Sequence, residues 1–144
     1  MKSFPKLKLI AVGKIKKHWI QDGIAVYLKR IPELEIVEIK DTTPQKEGEV
    51  ALSLLKPNQK LVALMEEGKT YSSEQFAEFL SRAGSNEWVL LIGSAEGLSP
   101  EIKQRADYRL SLSPMTFPHE LARLMLVEQL YRAKTILQGG KYHK

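Results

Sequence analysis

Between Ser111 and Leu124 the chain reads SLSPMTFPHELARL, where residues able to do chemistry crowd together. Pro114 and Pro118 stiffen a short loop and remove two backbone donors. The N–H and C=O groups left between them are held where a flat heterocycle can meet them, with Leu112, Met115 and Phe117 as walls. The same residues fit a hydrophobic staple, in which Phe117 packs on a helix start. Pattern alone leaves these two readings equal. His119 falls in the first helical turn, where the helix dipole disfavours a cation, so a mostly neutral imidazole is expected. Arg123, one turn later, would share its face. It suits a phosphate or a uracil carbonyl, or else a surface ion pair with Glu120 or Glu128.

Other chemistries lack their residues. There is no cysteine, which removes thiolate zinc sites, thiol nucleophiles and disulfides together and fits a reducing cytoplasm. His18, His119 and His143 lie far apart and form no HExxH-type spacing, so no metal is expected. No serine sits in a GxSxG elbow. IGSAEGL (Ile92–Leu98) is not the GxGxxG fingerprint, and no Walker sequence occurs. Gly93, directly after an apolar run, would let backbone approach a ligand, or is a plain turn. At the far end GGKYHK puts Tyr142 and His143 on a glycine tether between Lys141 and Lys144. Such a tail frays inertly, or stacks a base and touches phosphate.

These groups need a frame, and the chain alternates strand and helix patterns throughout. KLKLIAV (Lys6–Val12) precedes a helix from about His18 to Arg30; the alternating LEIVEI (Leu34–Ile39) predicts a more exposed strand. A helix from Pro44 to Leu55 and a strand from Lys60 to Met65 follow, with MEEGK read as a solvated turn at Gly68. Ser72 with Gln75 resembles a capping box. WVLLI (Trp88–Ile92) has the unbroken apolar run of a central parallel strand. Ser99-Pro100 starts another helix, YRLSLS (Tyr108–Ser113) is the fifth strand, and the last helix runs from His119 to about Gln138. Short connections in this order imply an α/β class, with a mainly parallel sheet flanked by helices. Ligands of such sheets collect at the carboxyl ends of the strands, so the segments after Leu64-Met65, after Ile92 and after Ser113 matter most. The last helix is apolar around nearly its whole circumference, so it is either central in the domain or shared with a second subunit, and for a domain this small a homodimer interface is the favoured expectation.

With 144 residues, 43% of them apolar and 27% charged, the chain is expected to form a single domain, residues 1–144, with a real core. The apolar run near the N-terminus is too short to span a membrane and lacks a signal-peptide cleavage pattern, so a cytoplasmic location is expected. Residues 1–21 and 129–144 contain no acid and hold ten of the 22 basic residues; the other twelve face all 17 acids. Basic ends around an acidic middle suit a polyanion such as RNA, or are solvated lysines of an ordinary basic protein.

The blocks LIAVGKIK, GKTYSSEQFA, LLIGSAEGL, LSLSPMTFPHELARLMLVEQLYRA and the closing YHK resemble, end to end, a known family. It comprises the small bacterial SPOUT-class methyltransferases that modify N3 of a pseudouridine in 23S rRNA of the large ribosomal subunit. The resemblance implies a C-terminal trefoil knot, a homodimer whose active sites borrow from the partner subunit, and S-adenosyl-L-methionine as methyl donor. By motif position it implies cofactor contacts from Leu64, Gly93, Leu112, Ser113, Pro114, Met115, Thr116 and Phe117. Catalytic roles fall on His119, Arg123 and His143, and RNA contacts on Arg132, Lys141, Tyr142 and Lys144. No metal or membrane is implied. Met65 stands where the family commonly has an acidic residue, with Glu66 next, and Ser94 where it commonly has a second glycine. A non-catalytic ribosome-associated RNA-binding protein and a different nucleotide-binding α/β enzyme are the competing readings.

Overall fold

The computed structural model describes residues 2–84 and 86–143. Five strands, β1 (Leu7–Val12), β2 (Leu34–Ile39), β3 (Lys60–Thr70), β4 (Trp88–Ile92) and β5 (Tyr108–Ser111), alternate with five helices. These are α1 (His18–Leu28), α2 (Pro44–Ser53), α3 (Ser73–Ser81), α4 (Pro100–Arg105) and α5 (His119–Leu137). All strand pairs are parallel, in the order β2-β1-β4-β3-β5. The expected α/β class, a parallel sheet flanked by helices, is what forms.

Side chains alternate across the inner strands and build two cores. Leu9, Ala11 and Leu90 pack with Ile20 of α1, Phe79 of α3 and Leu126 of α5. Ile10, Val12 and Leu91 pack with Ala51 of α2 and Ile102 of α4 on the opposite face. β4 occupies the middle of the sheet and is buried at all five positions, as its unbroken run predicts. β2 lies at one edge and exposes Glu35 and Glu38, as its alternation predicts. Ser72 and Gln75 close a capping box on α3, and Ser99 Oγ caps α4 by accepting from Ile102 N at 3.3 Å. α1 stops at Leu28 and α2 at Ser53, each two residues before the expected end.

The largest departure is at Gly68. A turn was expected there, but β3 runs on to Thr70. Leu64 and Lys69 both pair with Leu110 of β5, so residues 65–68 bulge out of the ladder between them. A Cβ on Gly68 would lie 2.8 Å from backbone atoms of Arg109 and Leu110, so the close crossing of the two strands requires glycine. β5 ends at Ser111, short of the expected Ser113, and the chain leaves the sheet edge toward α5.

Candidate active site

Three post-strand segments meet at the carboxyl edge of the sheet. Residues 64–67 from the β3 bulge, 92–98 after β4 and 112–117 after β5 enclose a pocket of about 160 Å³, with His119 in its wall. Leu64, Gly93, Leu112, Ser113, Met115, Thr116 and Phe117 all line it; Pro114 belongs to the same loop without lining the pocket. The walls are apolar at Leu64, Ile92, Leu112 and Phe117, with loop backbone between them. That combination suits a flat heterocycle recognised by main-chain groups. The volume is below the roughly 300–1,000 Å³ of a typical small-molecule site, so a ring can be enclosed while the rest of the ligand stays at the open side. The residues fit a nucleoside-type cofactor.

Local sequence explains the shape. On Gly93 a Cβ would stand 2.9 Å from the carbonyl oxygen of Gly97 and 3.0 Å from Leu98, so any side chain would spread the loop. Gly97 makes the turn with φ of +81°. Ser94 needs no positive φ: among the described residues only glycines adopt one. Its hydroxyl instead accepts from Glu96 N at 3.3 Å. Glu66, whose neighbourhood was read as a solvated turn, fastens the β5–α5 loop to the bulge. Its carbonyl accepts from Ser111 Oγ at 3.0 Å and its carboxylate from Thr116 Oγ1 at 2.7 Å. Ser113 Oγ accepts from Met115 N at 3.0 Å, and Met115 itself is 72% exposed at the rim. Lys103, 2.9 Å from Glu67, holds that carboxyl below its ordinary value at the pocket mouth.

The first turn of α5 carries the histidine and two anchors. Glu120 Oε1 accepts from the backbone N–H groups of Lys16 and Lys17 at 3.0 and 3.1 Å, tying the start of α1 to the start of α5. Arg123 corrects the expectation of a ligand-facing cation. It is buried, 3% exposed, and pairs with neither Glu120 nor Glu128. Nη1 donates to Glu38 at 2.7 Å, and Nη2 donates to the carbonyls of Val12 and Gly13 at 3.1 and 2.9 Å. The fork satisfies the ends of β1 and β2, and the pocket is left to His119.

The C-terminal residues are seated elsewhere. Tyr142 OH donates to Glu128 at 2.8 Å, and Arg132 reaches His143 Nδ1 at 3.1 Å while pairing with Glu128 at 2.6 Å. The expected free tether is therefore a docked tail along α5. Lys141 is exposed; Lys144 lies outside the described residues. His143 does not line the pocket of its own chain. A second cleft of about 630 Å³ lies between α1, α3 and α5, with Tyr27, Met125 and Glu128 in its wall. Among the described residues no group of three or more His, Asp or Glu side chains could hold a metal ion, and no helix is long and apolar enough to cross a membrane.

Sequence comparison agrees with this geometry. The family described as "Predicted SPOUT methyltransferase" matches residues 6–143. A protein of Parasynechococcus marenigrum (strain WH8102), named "Ribosomal RNA large subunit methyltransferase H", is 54% identical over 139 residues, covering 96% of each chain. Proteins of the same name from Synechococcus sp. (strain RCC307) and Prochlorococcus marinus (strain MIT 9303) are each 55% identical. They match 96% and 95% of this chain, over 95% and 91% of their own length.

Proposed function

Because the chain belongs to the SPOUT methyltransferase family, we propose that it transfers a methyl group from S-adenosyl-L-methionine to N3 of a pseudouridine in 23S rRNA of the large ribosomal subunit. The observation that carries this reading is the convergence of three post-strand segments on one pocket with a histidine in its wall. The relatives' names, which specify methylation of large-subunit ribosomal RNA, support the substrate class.

The cofactor, held by the 112–117 loop, Leu64 and Gly93, supplies an electrophilic sulfonium methyl. The protein's own work is to align a nitrogen with that methyl and to dispose of a proton. Alignment in a rigid pocket contributes roughly 7–11 kcal/mol in favourable cases. The N3 imide proton, flanked by two carbonyls, has to leave before or during transfer. His119 is the candidate base, for which the usual gain is about 10²–10⁴-fold. Arg123 acts by holding the turn that carries His119 against the ends of β1 and β2. Lys141, Tyr142 and Lys144 contribute RNA contacts from the basic C-terminal segment, Arg132, in place of an RNA contact, seats that segment against Glu128, and His143 works in the active site of the partner subunit.

A homodimer is part of the proposal. None of the residues of α5 is exposed, yet Leu124 and Met125 face the large cleft with Gly23 of α1. Trp19 and Val26 stand out from α1 at 60% and 49% exposure. With Gly23 they form an i, i+4, i+7 stripe that a second copy would cover. The trefoil knot implied by resemblance belongs to the same reading, supported by β5 docking outside β3 and the chain returning as α5 onto α1 and α3.

Calorimetry with S-adenosylhomocysteine and with ATP tests the pocket. Binding of the first and not the second is expected, whereas preference for ATP would favour a different nucleotide enzyme. A pure RNA binder would leave the ribosomal RNA of a deletion strain with no missing methyl group.

A further inference from the structure

The carboxylate of Glu128 is the hub on which the C-terminal tail is seated. Arg132 donates to it from Nε and Nη2 at 3.5 and 2.6 Å, Gln129 Nε2 at 3.1 Å and Tyr142 OH at 2.8 Å. Gln129 is in turn fixed by Ser73 Oγ at 2.8 Å. Because the Tyr142 proton is committed to Glu128, the Tyr27 hydroxyl, 3.3 Å away, donates to Tyr142. The guanidinium of Arg132 also lies over the Tyr142 ring, 4.9 Å from its centroid, and Tyr131 meets that ring edge-on. The Glu128 hydrogen bond raises the pKa of Arg132, while burial, the Tyr27 contact and the Glu128 contact raise that of the Tyr142 phenol, so both keep their protons in this network.

The one remaining arm of Arg132, Nη1, lies 3.1 Å from His143 Nδ1. A guanidinium can only donate, so Nδ1 accepts and the proton of the neutral ring sits on Nε2. That Nε2 faces Glu74 Oε1 at 3.6 Å, too long for a hydrogen bond and on a side chain 69% exposed. The seated imidazole thus has its basic lone pair engaged and its N–H free.

We propose that Glu128, acting through Arg132, is the positioning residue that fixes His143 as the Nε2–H tautomer, so that the tail offers the RNA a hydrogen-bond donor and not a base. The group it fits is a carbonyl oxygen beside the reacting imide nitrogen, where negative charge gathers as the proton leaves. The inference rests on the methyltransferase reading and leaves proton removal to His119.

Imidazole ¹⁵N spectra of the full-length protein at neutral pH, with His143 assigned through His143→Ala, read the tautomer directly. The wild type is expected to show a protonated Nε2 and an accepting Nδ1, and Glu128→Ala to average the two nitrogens. In single-turnover methylation, His143→Ala and Glu128→Ala should each slow the chemical step by about 10²-fold, the usual loss for one such donor. Cofactor affinity should stay unchanged and the double variant should be no slower than His143→Ala alone. Glu128→Gln, which keeps an acceptor for Tyr142, should recover part of the loss. Should Glu128→Ala fail to fold, Arg132→Lys keeps the charge without the fork and carries the same comparison. An unchanged His143 spectrum in these variants, or losses that multiply in the double variant, overturns the proposal. A wild-type protein that methylates no ribosomal RNA overturns the methyltransferase reading and the donor role with it, while the spectra still report whether Glu128 positions the ring.

Discussion

Gly93 and His119 face the same pocket for different physical reasons, and their substitutions separate. Gly93→Ala would drive a methyl against the Gly97 carbonyl and spread the β4–α4 loop. Affinity for S-adenosylhomocysteine should fall about tenfold or more, equivalent to about 1.4 kcal/mol, by calorimetry. His119→Ala should leave that affinity intact and slow single-turnover methylation by about 10²-fold, the lower end of general-base effects. Arg123→Ala removes donors from the buried Val12 carbonyl and the half-buried Gly13 carbonyl and should cost roughly 1–3 kcal/mol in urea unfolding, because Glu38 can turn back to water. Arg123→Lys should recover little of it, since lysine has no fork. The sequence made the loop around Phe117 visible through its prolines and His119 through the helix start. It hid the task of Arg123, because Glu38 stands 85 residues away and only the sheet brings them together.

The elements were legible where their signals are local. The capping box at Ser72, the Ser99-Pro100 start and the unbroken apolar run of β4 are each contained in a few residues, and each formed as expected. The β3 bulge was not legible, because Glu-Gly reads as a turn until β5, more than forty residues later in the sequence, pairs on both sides of it. The link between α1 and α5 was equally non-local, and it has a pH signature. The backbone N–H of Lys17, then that of Lys16, holds the Glu120 carboxyl below its ordinary value of 4.5. The stability this contributes is fully present above that value and is lost as pH falls through the depressed folded one. Glu120→Gln should therefore flatten the acid limb of a stability–pH curve measured by urea unfolding. Glu47, buried at the start of α2 with Oε1 unpaired, has the opposite sign. Burial raises its pKa, so its contribution is present below the ordinary value and lost as pH rises through the folded one. Glu47→Gln should remove that loss.

At the scale of the whole molecule, unpaired lysines and exposed apolar side chains both gather around α1. Among the described residues Lys14, Lys16 and Lys17 are exposed and outside every ion pair, on a loop whose backbone Glu120 ties to the first turn of α5. In the apolar stripe of α1, Trp19 and Val26 are exposed and Gly23 between them lines the large cleft. Trp19→Glu should convert the proposed dimer to monomer in analytical ultracentrifugation and abolish methylation while leaving the far-ultraviolet circular dichroism unchanged. The basic ends of the chain were plain in composition, but of the proposed dimer face only the unusually apolar last helix stood out in the sequence, because the α1 half of the stripe gains meaning once α1 is seen beside α5. The most direct test of the account is methyl transfer itself. Ribosomes from a strain lacking this gene, incubated with the protein and isotopically labelled S-adenosylmethionine, should yield labelled 3-methylpseudouridine in the 23S rRNA by nucleoside mass spectrometry, and His119→Ala protein should yield far less. Absence of label from the rRNA with the wild-type protein, or label on a different base, would contradict it.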